Sequence, residues 1–452
     1  MKEKSNNIDL TTGNIMSQML KFFWPMLLGS LFQQLYTTVD AIIVGQFAGK
    51  AGLASIDAVS SMLRLAVNMF VGIGTGATVI ISQFYGAKKE EELHKSIHTA
   101  AAFALIAGAF ISIAGVFVAQ PALNMLGVPA DIYDQSLGYV RVYFAGLIVL
   151  LCYNISAGVA RAMGDSKTPF RALVVSGILN MILDYIFVAI FHTGAPGAGL
   201  ATVISQAVSV IIVTRSLMKN QGAEKLELKK IAIDKKIFGD IMKIGFPMGI
   251  QSSLYPIANV IIQKSVNALG TDSIAAWALG LKLDTIIWLT FNTMNQTIST
   301  FVAQNYGAKQ IKRAREGTRI CLIATSAIIL AMGTILFFFS EPLGRLFLTA
   351  EDAHIAKMTA VLMHIQAFTY VTYAPTSVLS GAIRGAGESF MPMVMTLVGM
   401  CAVRIAWAFF VIPLNYTLPT IIWGYPVSWA LTSLAFIIYY IPFAKRKFTT
   451  PE

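Results

Sequence analysis

Gln83-Phe84-Tyr85-Gly86-Ala87-Lys88 is answered by Gln304-Asn305-Tyr306-Gly307-Ala308-Lys309, 221 residues further on. Two more landmarks keep nearly the same spacing. Trp24-Pro25-Met26 returns as Phe246-Pro247-Met248 after 222 residues, and Arg161-Ala162-Met163-Gly164-Asp165-Ser166 returns as Arg384-Gly385-Ala386-Gly387-Glu388-Ser389 after 223. A constant offset across three motifs is the signature of an internal repeat, so each half of the chain should fold into a similar unit.

The material of the repeat is membrane-like. The 452 residues are 56% hydrophobic and 13% charged, against an average of about 25% charged in soluble domains. Apolar stretches of roughly 20 residues recur along the whole length, each long enough to cross a hydrocarbon core of about 30 Å. A strand-built barrel would alternate apolar and polar residues, and these runs do not. The expected fold class is therefore an all-α polytopic membrane protein. Twelve spans are read at about 16–46, 54–83, 96–119, 139–160, 171–191, 198–218, 244–268, 274–304, 320–339, 360–383, 391–412 and 420–443.

The net charge of +11 is explained by topology. About 25 of the 34 Lys and Arg residues fall in the two termini and in every second loop, with the densest groups at 219–243, 309–319 and 445–447; the intervening loops hold about three, Lys50, Arg345 and Lys357. The positive-inside rule then puts both termini in the cytoplasm of a multi-pass protein of the cytoplasmic membrane. This placement argues against a nucleic-acid partner. No removable signal peptide is expected before the first span. Six spans per half make the repeat parallel. The organisation read from this is an N-terminal six-helix lobe (1–218), a cytoplasmic linker (219–243) and a C-terminal six-helix lobe (244–452). No loop is long enough to hold a nucleotide-driven motor domain.

Motifs for catalysis or cofactor binding are lacking. Gly72-Ile73-Gly74-Thr75-Gly76-Ala77 has the look of a phosphate loop but lies inside a span with no basic residue, so close helix packing is the better reading. His94 and His98 stand one turn apart beside Glu91 and Glu92; a metal site is the weaker reading there, a solvated turn the stronger. Cys152, Cys321 and Cys401 all sit in apolar spans and read as packing residues. No enzyme activity, cofactor or metal is expected.

Ionisable residues within spans are the informative exceptions, since an aspartate at a helix centre costs about 2.5–3.5 kcal/mol on insertion scales. Asp40 follows Lys21 by about 28 Å of helix, yet the apolar run continues through Ala41 to Gly45, which places it below the outer rim. Pro25 in the same helix removes a backbone hydrogen bond and marks a bend site. Asp184 lies in the fifth span with Asn180 one turn before it, and Thr202 falls at similar depth across the Gly194-Ala195-Pro196-Gly197 turn. The alternative for Asp184 is a structural pair with Arg64. Two carboxylates out of water in one lobe can hold and release a shared proton, which is coupling chemistry rather than covalent chemistry. Lys264, Lys282, Asp284 and Arg404 are the buried charges expected of the second half; charges satisfied between helices is the reading preferred over a substrate path. Tyr36, Arg64 and Gln251 are further candidates for substrate contact or gating.

These residues resemble a known family. The Pro-bearing first helix with Asp40, the Gln-x-Tyr-Gly-Ala motifs and the Arg161 to Pro169 loop resemble the multidrug and toxic compound extrusion (MATE) transporters over essentially the whole chain. The set Asp40, Asn180, Asp184 and Thr202 is most similar to that of the DinF-like branch. The resemblance implies twelve helices in two lobes forming a V, a polar site in the N-terminal lobe, and cation-coupled export of bulky, often cationic, amphipathic compounds. NorM-like members carry acids in the seventh and tenth helices. Here the seventh has Gln251 and the tenth none, which favours H+ over Na+ as the coupling ion. A flippase of lipid-linked saccharides on the same scaffold is the alternative function. Membrane lipids and small amphipathic molecules are the expected partners, and no feature of the sequence demands more than one copy of the chain.

Overall fold

The computed structural model describes residues 7–348 and 351–448. Among these there are helices and turns and no strand. Twelve helical passages follow one another, and they are numbered here α1 to α12. The first six are α1 (Ile15–Phe47), α2 (Gly49–Gly86), α3 (Glu90–Leu126), α4 (Ala130–Ala145 and Leu147–Ala162), α5 (Lys167–Ile190) and α6 (Gly194–Lys219). The second six are α7 (Lys235–Asn267), α8 (Thr271–Leu283 and Thr285–Gly307), α9 (Ile311–Arg345), α10 (Ala353–Ala367, Thr369–Tyr373 and Ala374–Gly385), α11 (Phe390–Leu414) and α12 (Leu418–Lys447). Eight of them, α1, α2, α3, α5, α6, α9, α11 and α12, are long and apolar enough to cross a bilayer as single helices. Two more, α4 and α8, qualify as pairs bent by 43° and 42°. The protein is an all-α polytopic membrane protein of two six-helix repeats.

The chain forms two compact units. One comprises Met1–Asp9 and Leu20–Gly249, the other Leu10–Met19 and Ile250–Glu452. Each has its own apolar core. In the first, Val59 and Leu63 of α2 meet Ala119 and Leu123 of α3 and Val140, Phe144 and Leu147 of α4. In the second, Trp277 and Phe291 of α8, Tyr370 of α10 and Trp429 of α12 pack together with aliphatic residues such as Ile262, Ile329 and Ile421. Outward-facing apolar side chains are abundant, with Phe117 77% and Phe410 75% exposed. Such faces are stable against hydrocarbon and not against water.

The repeated motifs are turn chemistry. Lys88 and Lys309 adopt the left-handed region with φ of 52° and 58°. In both turns the next amide reaches back to close the preceding helix, Lys89 N to Phe84 O at 3.1 Å and Gln310 N to Asn305 O at 2.8 Å. Gly164 and Gly387 likewise share φ of 88° and 91°. A side chain at Gly164 would also meet the Ile8 carbonyl oxygen at 2.2 Å, so glycine is demanded there twice over. Small residues allow helix contact elsewhere: a Cβ on Gly72 would lie 2.4 Å from the Gly249 amide nitrogen, and one on Gly76 2.6 Å from that of Gly245. The Gly72 to Ala77 run is thus a packing surface of α2 against the start of α7.

Between α6 and α7 the polar segment is pinned to the first unit. His98 Nδ1–H donates to the His94 carbonyl at 2.7 Å, which leaves Nε2 to accept the Glu227 amide N–H at 3.0 Å. The Asp234 amide donates to Thr99 Oγ1 at 3.0 Å. Lys230, 3.0 Å away, holds the Glu227 carboxyl below the usual range. His98 therefore serves as a backbone anchor for the linker.

Candidate functional site

Three helices of the first unit each contribute a pair of polar side chains one turn apart. Tyr36 and Asp40 come from α1, Asn180 and Asp184 from α5, and Thr202 and Gln206 from α6. An i, i+4 spacing puts both members of each pair on one face, so each helix presents a two-residue polar strip. The α5 strip is fully inside, with Asn180 1% and Asp184 0% exposed. Tyr36 and Gln206 are buried as well, and the Gln206 Nε2–H group donates to the Tyr36 hydroxyl at 3.4 Å.

What brings α1 against α5 is glycine. A Cβ on Gly177 would come within 2.5 Å of Phe32 Cε1 and 2.8 Å of Tyr36 Cδ1, and one on Gly29 within 3.3 Å of Leu173 Cδ1. With only hydrogens at these two points the helices approach closely, and about two turns beyond Gly177 and Phe32 Asp184 and Asp40 face each other. Immediately after Asp184 the helix widens into a π-helical turn, Tyr185–Ile190. Such turns free backbone groups and recur at functional positions.

The hydrogen bonding of this group is incomplete. Among the described residues, Asp40 Oδ1, both Asp184 carboxylate oxygens, Asn180 Nδ2 and Gln206 Oε1 are buried without a partner. Buried polar groups are nearly always satisfied, since each one left unmade costs roughly 1–3 kcal/mol. Two facing carboxylates offer only acceptors to one another. One proton between them supplies the missing donor and removes one of the two charges. Their oxygens, with those of Asn180 and Thr202, are also hard donors of the kind that hold Na+. Among the described residues no cationic side chain forms an ion pair with either carboxylate: Arg64, the rival partner for Asp184, is exposed and donates to Ser60 Oγ at 2.8 Å.

Thr202 is turned partly aside. Its hydroxyl donates to the Ala198 carbonyl at 3.0 Å, and with Gln206 and Tyr143 it lines a cavity of only about 20 Å³. Gln206 and Tyr143 are members of this polar group that sequence reasoning missed. Gln206 could have been found as the residue one turn beyond Thr202. Nothing in the sequence places Tyr143 of α4 at this depth. Pro25 lies within α1 about four turns before Asp40.

In the second unit the expected buried charges separate into two kinds. Arg404 is fully buried in α11: its Nε donates to Ser428 Oγ at 3.1 Å, and its Nη1 to Tyr255 OH at 3.2 Å and Asn259 Oδ1 at 3.1 Å. Asp284 is buried at the bend of α8, accepting from Trp288 Nε1 at 3.0 Å and Tyr370 OH at 3.2 Å. Lys264 and Lys282 correct the expectation: both are exposed. Lys264 sits in the last turn of α7 and Lys282 in the last turn of Thr271–Leu283, where the free carbonyls favour a cation. Lys282 also lies over the Phe347 ring at 5.8 Å. Gln251 lines a larger cavity of this unit.

Comparison with known proteins agrees with this architecture. The MatE family model matches residues 25–186 and 247–410, one match in each repeat. Probable multidrug resistance protein YoeA of Bacillus subtilis (strain 168) is 25% identical over 445 residues, covering 96% of this chain and 95% of that protein. Probable multidrug resistance protein YpnP of the same organism is 27% identical over 404 residues, 88% of each. Among solved structures, a MOP superfamily transporter from Pyrococcus furiosus Vc1 (DSM3638) superposes with a TM-score of 0.91 at 19% identity, over 99% of this chain and 100% of that one. With the family model covering most of both repeats, the chain belongs to the MatE family and is a transporter, not an enzyme.

Proposed function

We propose that this transporter exports bulky, often cationic, amphipathic compounds across the cytoplasmic membrane in exchange for protons, and that Asp40 and Asp184 are its coupling pair. The single observation that carries the reading is the buried, donor-deficient contact between these two carboxylates, on helices that glycines hold together. The names of its relatives as probable multidrug resistance proteins support the cargo class. The Asp40, Asn180, Asp184 and Thr202 set supports a place in the DinF-like branch, and the clustering of Lys and Arg in alternate loops supports cytoplasmic termini.

In the ionised state the pair and its unpartnered neighbours attract a cation or hydrogen-bond donors of a substrate. When a proton from outside enters, Asp40 and Asp184 satisfy each other and that attraction falls. The α1 strip then moves closer to α5, with Pro25 as the place where the helix can bend because no amide hydrogen bond resists it there. Substrate is released outward as the pair closes. A proton moving down 100 mV yields about 2.3 kcal/mol, and a 100-fold substrate gradient needs about 2.7 kcal/mol, so two protons per cycle cover a neutral substrate, whereas one-for-one exchange with a monovalent cation draws on the pH gradient alone.

The test is dye efflux from liposomes holding the purified protein, with a pH gradient and a sodium gradient imposed separately. Efflux is expected under the pH gradient and to fall to background in Asp40→Asn, with the variant inserted and monodisperse. Undiminished export by Asp40→Asn would end this mechanism, and efflux driven only by sodium would transfer the same site to the other ion.

A further inference from the structure

The second unit contains a cavity of about 560 Å³ among α7, α8, α10 and α12, within the ~300–1,000 Å³ typical of drug-sized ligands. Its walls present the rings of Tyr255, Trp277, Trp288, Tyr373 and Tyr425. Among the residues that line it, Asp284 is the only Asp, Glu, Lys, Arg or His. That composition has a sign: aromatic faces carry negative potential, and the one formal charge in the wall is an anion.

Asp284 is prepared for a partner. It sits where α8 bends by 42° between Leu283 and Thr285. Both of its hydrogen bonds, from Trp288 Nε1 and Tyr370 OH, fall on Oδ2, and Oδ1 receives none among the described residues. No cationic side chain forms an ion pair with it there. Lys282, two residues before Asp284, is exposed and lies over the Phe347 ring, and Arg404 is not among the residues that line the cavity. Its guanidinium carbon is 4.1 Å from the Tyr425 ring centroid and 5.3 Å from that of Tyr255. Its hydrogen bonds go to Tyr255, Asn259 and Ser428, so it braces the lining and is not part of it.

We propose that this cavity is a binding site for one organic cation with aromatic surface, its charge facing Asp284 Oδ1 and its rings against Trp277, Trp288 and Tyr425. The site lies wholly in the second unit and is separate from the Asp40/Asp184 pair. It rests on the export reading only for the conclusion that the bound cation is cargo; binding itself is measured without transport.

The probe is tetraphenylphosphonium, with tetraphenylborate as an anion of the same shape, titrated into detergent-purified protein by calorimetry and by quenching of tryptophan fluorescence. Wild type is expected to bind the cation and to prefer it clearly over the anion. Asp284→Asn keeps an oxygen for Trp288 and Tyr370 but removes the charge, and should weaken cation binding on the order of tenfold or more. Leu289→Trp fills the cavity from α8 without touching the carboxylate and should abolish binding, which keeps the test decisive should the Asp284 variant misfold. Equal affinity for the two ions, or undiminished binding in a folded Asp284→Asn or Leu289→Trp, overturns the proposal. Loss of this site with proton-driven efflux intact would leave the Asp40/Asp184 reading standing.

Discussion

The two lobes share their turns and differ in their charges. Where α2 ends and α8 ends, the same left-handed lysine closes the helix, and Gly164 and Gly387 repeat one φ to within a few degrees. The ionisable residues inside the helices run the other way. Taking the 222-residue offset, Asp40 of α1 stands two residues from the image of Lys264 in α7, Asp184 of α5 two from that of Arg404 in α11, and Arg64 of α2 two from that of Asp284 in α8. Each sign is reversed. Backbone geometry at a tight turn admits few residues, so both copies keep it. A helix face lining a polar interior constrains only size and depth, so its charge is free to change with the task. The first lobe uses that freedom for a carboxylate pair without a counter-ion. The second uses it for a guanidinium hydrogen-bonded to three neighbours through Nε and Nη1 and a single carboxylate on a cavity wall.

The sharpest way to break this contrast is to remove the acid pair one member at a time. Asp184→Asn and Asp40→Asn should each bring proton-driven efflux to background, and the double variant should be no worse than either. Residues that act as one unit lose their effect together. Thermal stability should hold or rise by about 1 kcal/mol, because a neutral amide brings the missing donor to a buried acceptor. Additive partial losses would mean that the two carboxylates work separately, and the lobes would differ less than claimed.

The turns and span centres were legible in the sequence because each is a local statement. An apolar run of about 20 residues and a Tyr-Gly-Ala-Lys turn mean the same thing wherever they fold. The bends were not: Gly146, where α4 bends by 43°, packs so closely on a helix 57 residues away that a Cβ there would meet Val203 Cγ2 at 2.1 Å. The start of α7 at Lys235, well before its apolar run, follows from a charged turn stabilised at Asp234. Within the candidate site, Asp40, Asn180 and Asp184 were readable as acids and amides in apolar surroundings. Gln206, Tyr143 and the role of Asp284 were hidden, since helix rotation is set by contacts between helices. The exposure of Lys264 and Lys282 has the same cause: apolar neighbours in sequence do not say which side of a helix faces outward.

A second comparison concerns Arg404, the buried cation of α11. Its three hydrogen-bonded neighbours lie on α7 and α12, so the guanidinium ties α11 to two other helices. Arg404→Met preserves bulk and removes the charge. It should cost about 2–3 kcal/mol of stability, since hydrogen bonds to charged groups are worth more than neutral ones and three acceptors lose their donor. Melting in detergent, with and without the tetraphenylphosphonium probe, measures this. Efflux per folded molecule should fall less than in the Asp184 variant. Complete loss of efflux in a stable Arg404→Met would instead give the second lobe a coupling role.

The smallest effect expected lies outside the membrane, where the first lobe holds the linker and the repeat has no counterpart to compare. His98 carries this through one ring: Nδ1–H is committed to the His94 carbonyl, so Nε2 is left as the acceptor for the Glu227 amide. His98→Ala removes that acceptor and should cost about 1 kcal/mol locally. Hydrogen exchange should quicken across Glu227 to Asp234 while the helices on either side keep their protection. Efflux should change little, because the anchor touches neither carboxylate. His98→Asn, which carries a carbonyl acceptor on a shorter stem, should restore part of the protection. If efflux collapsed together with the linker's protection, the linker would be a working part of the transport cycle and the difference between the lobes would extend beyond their buried charges.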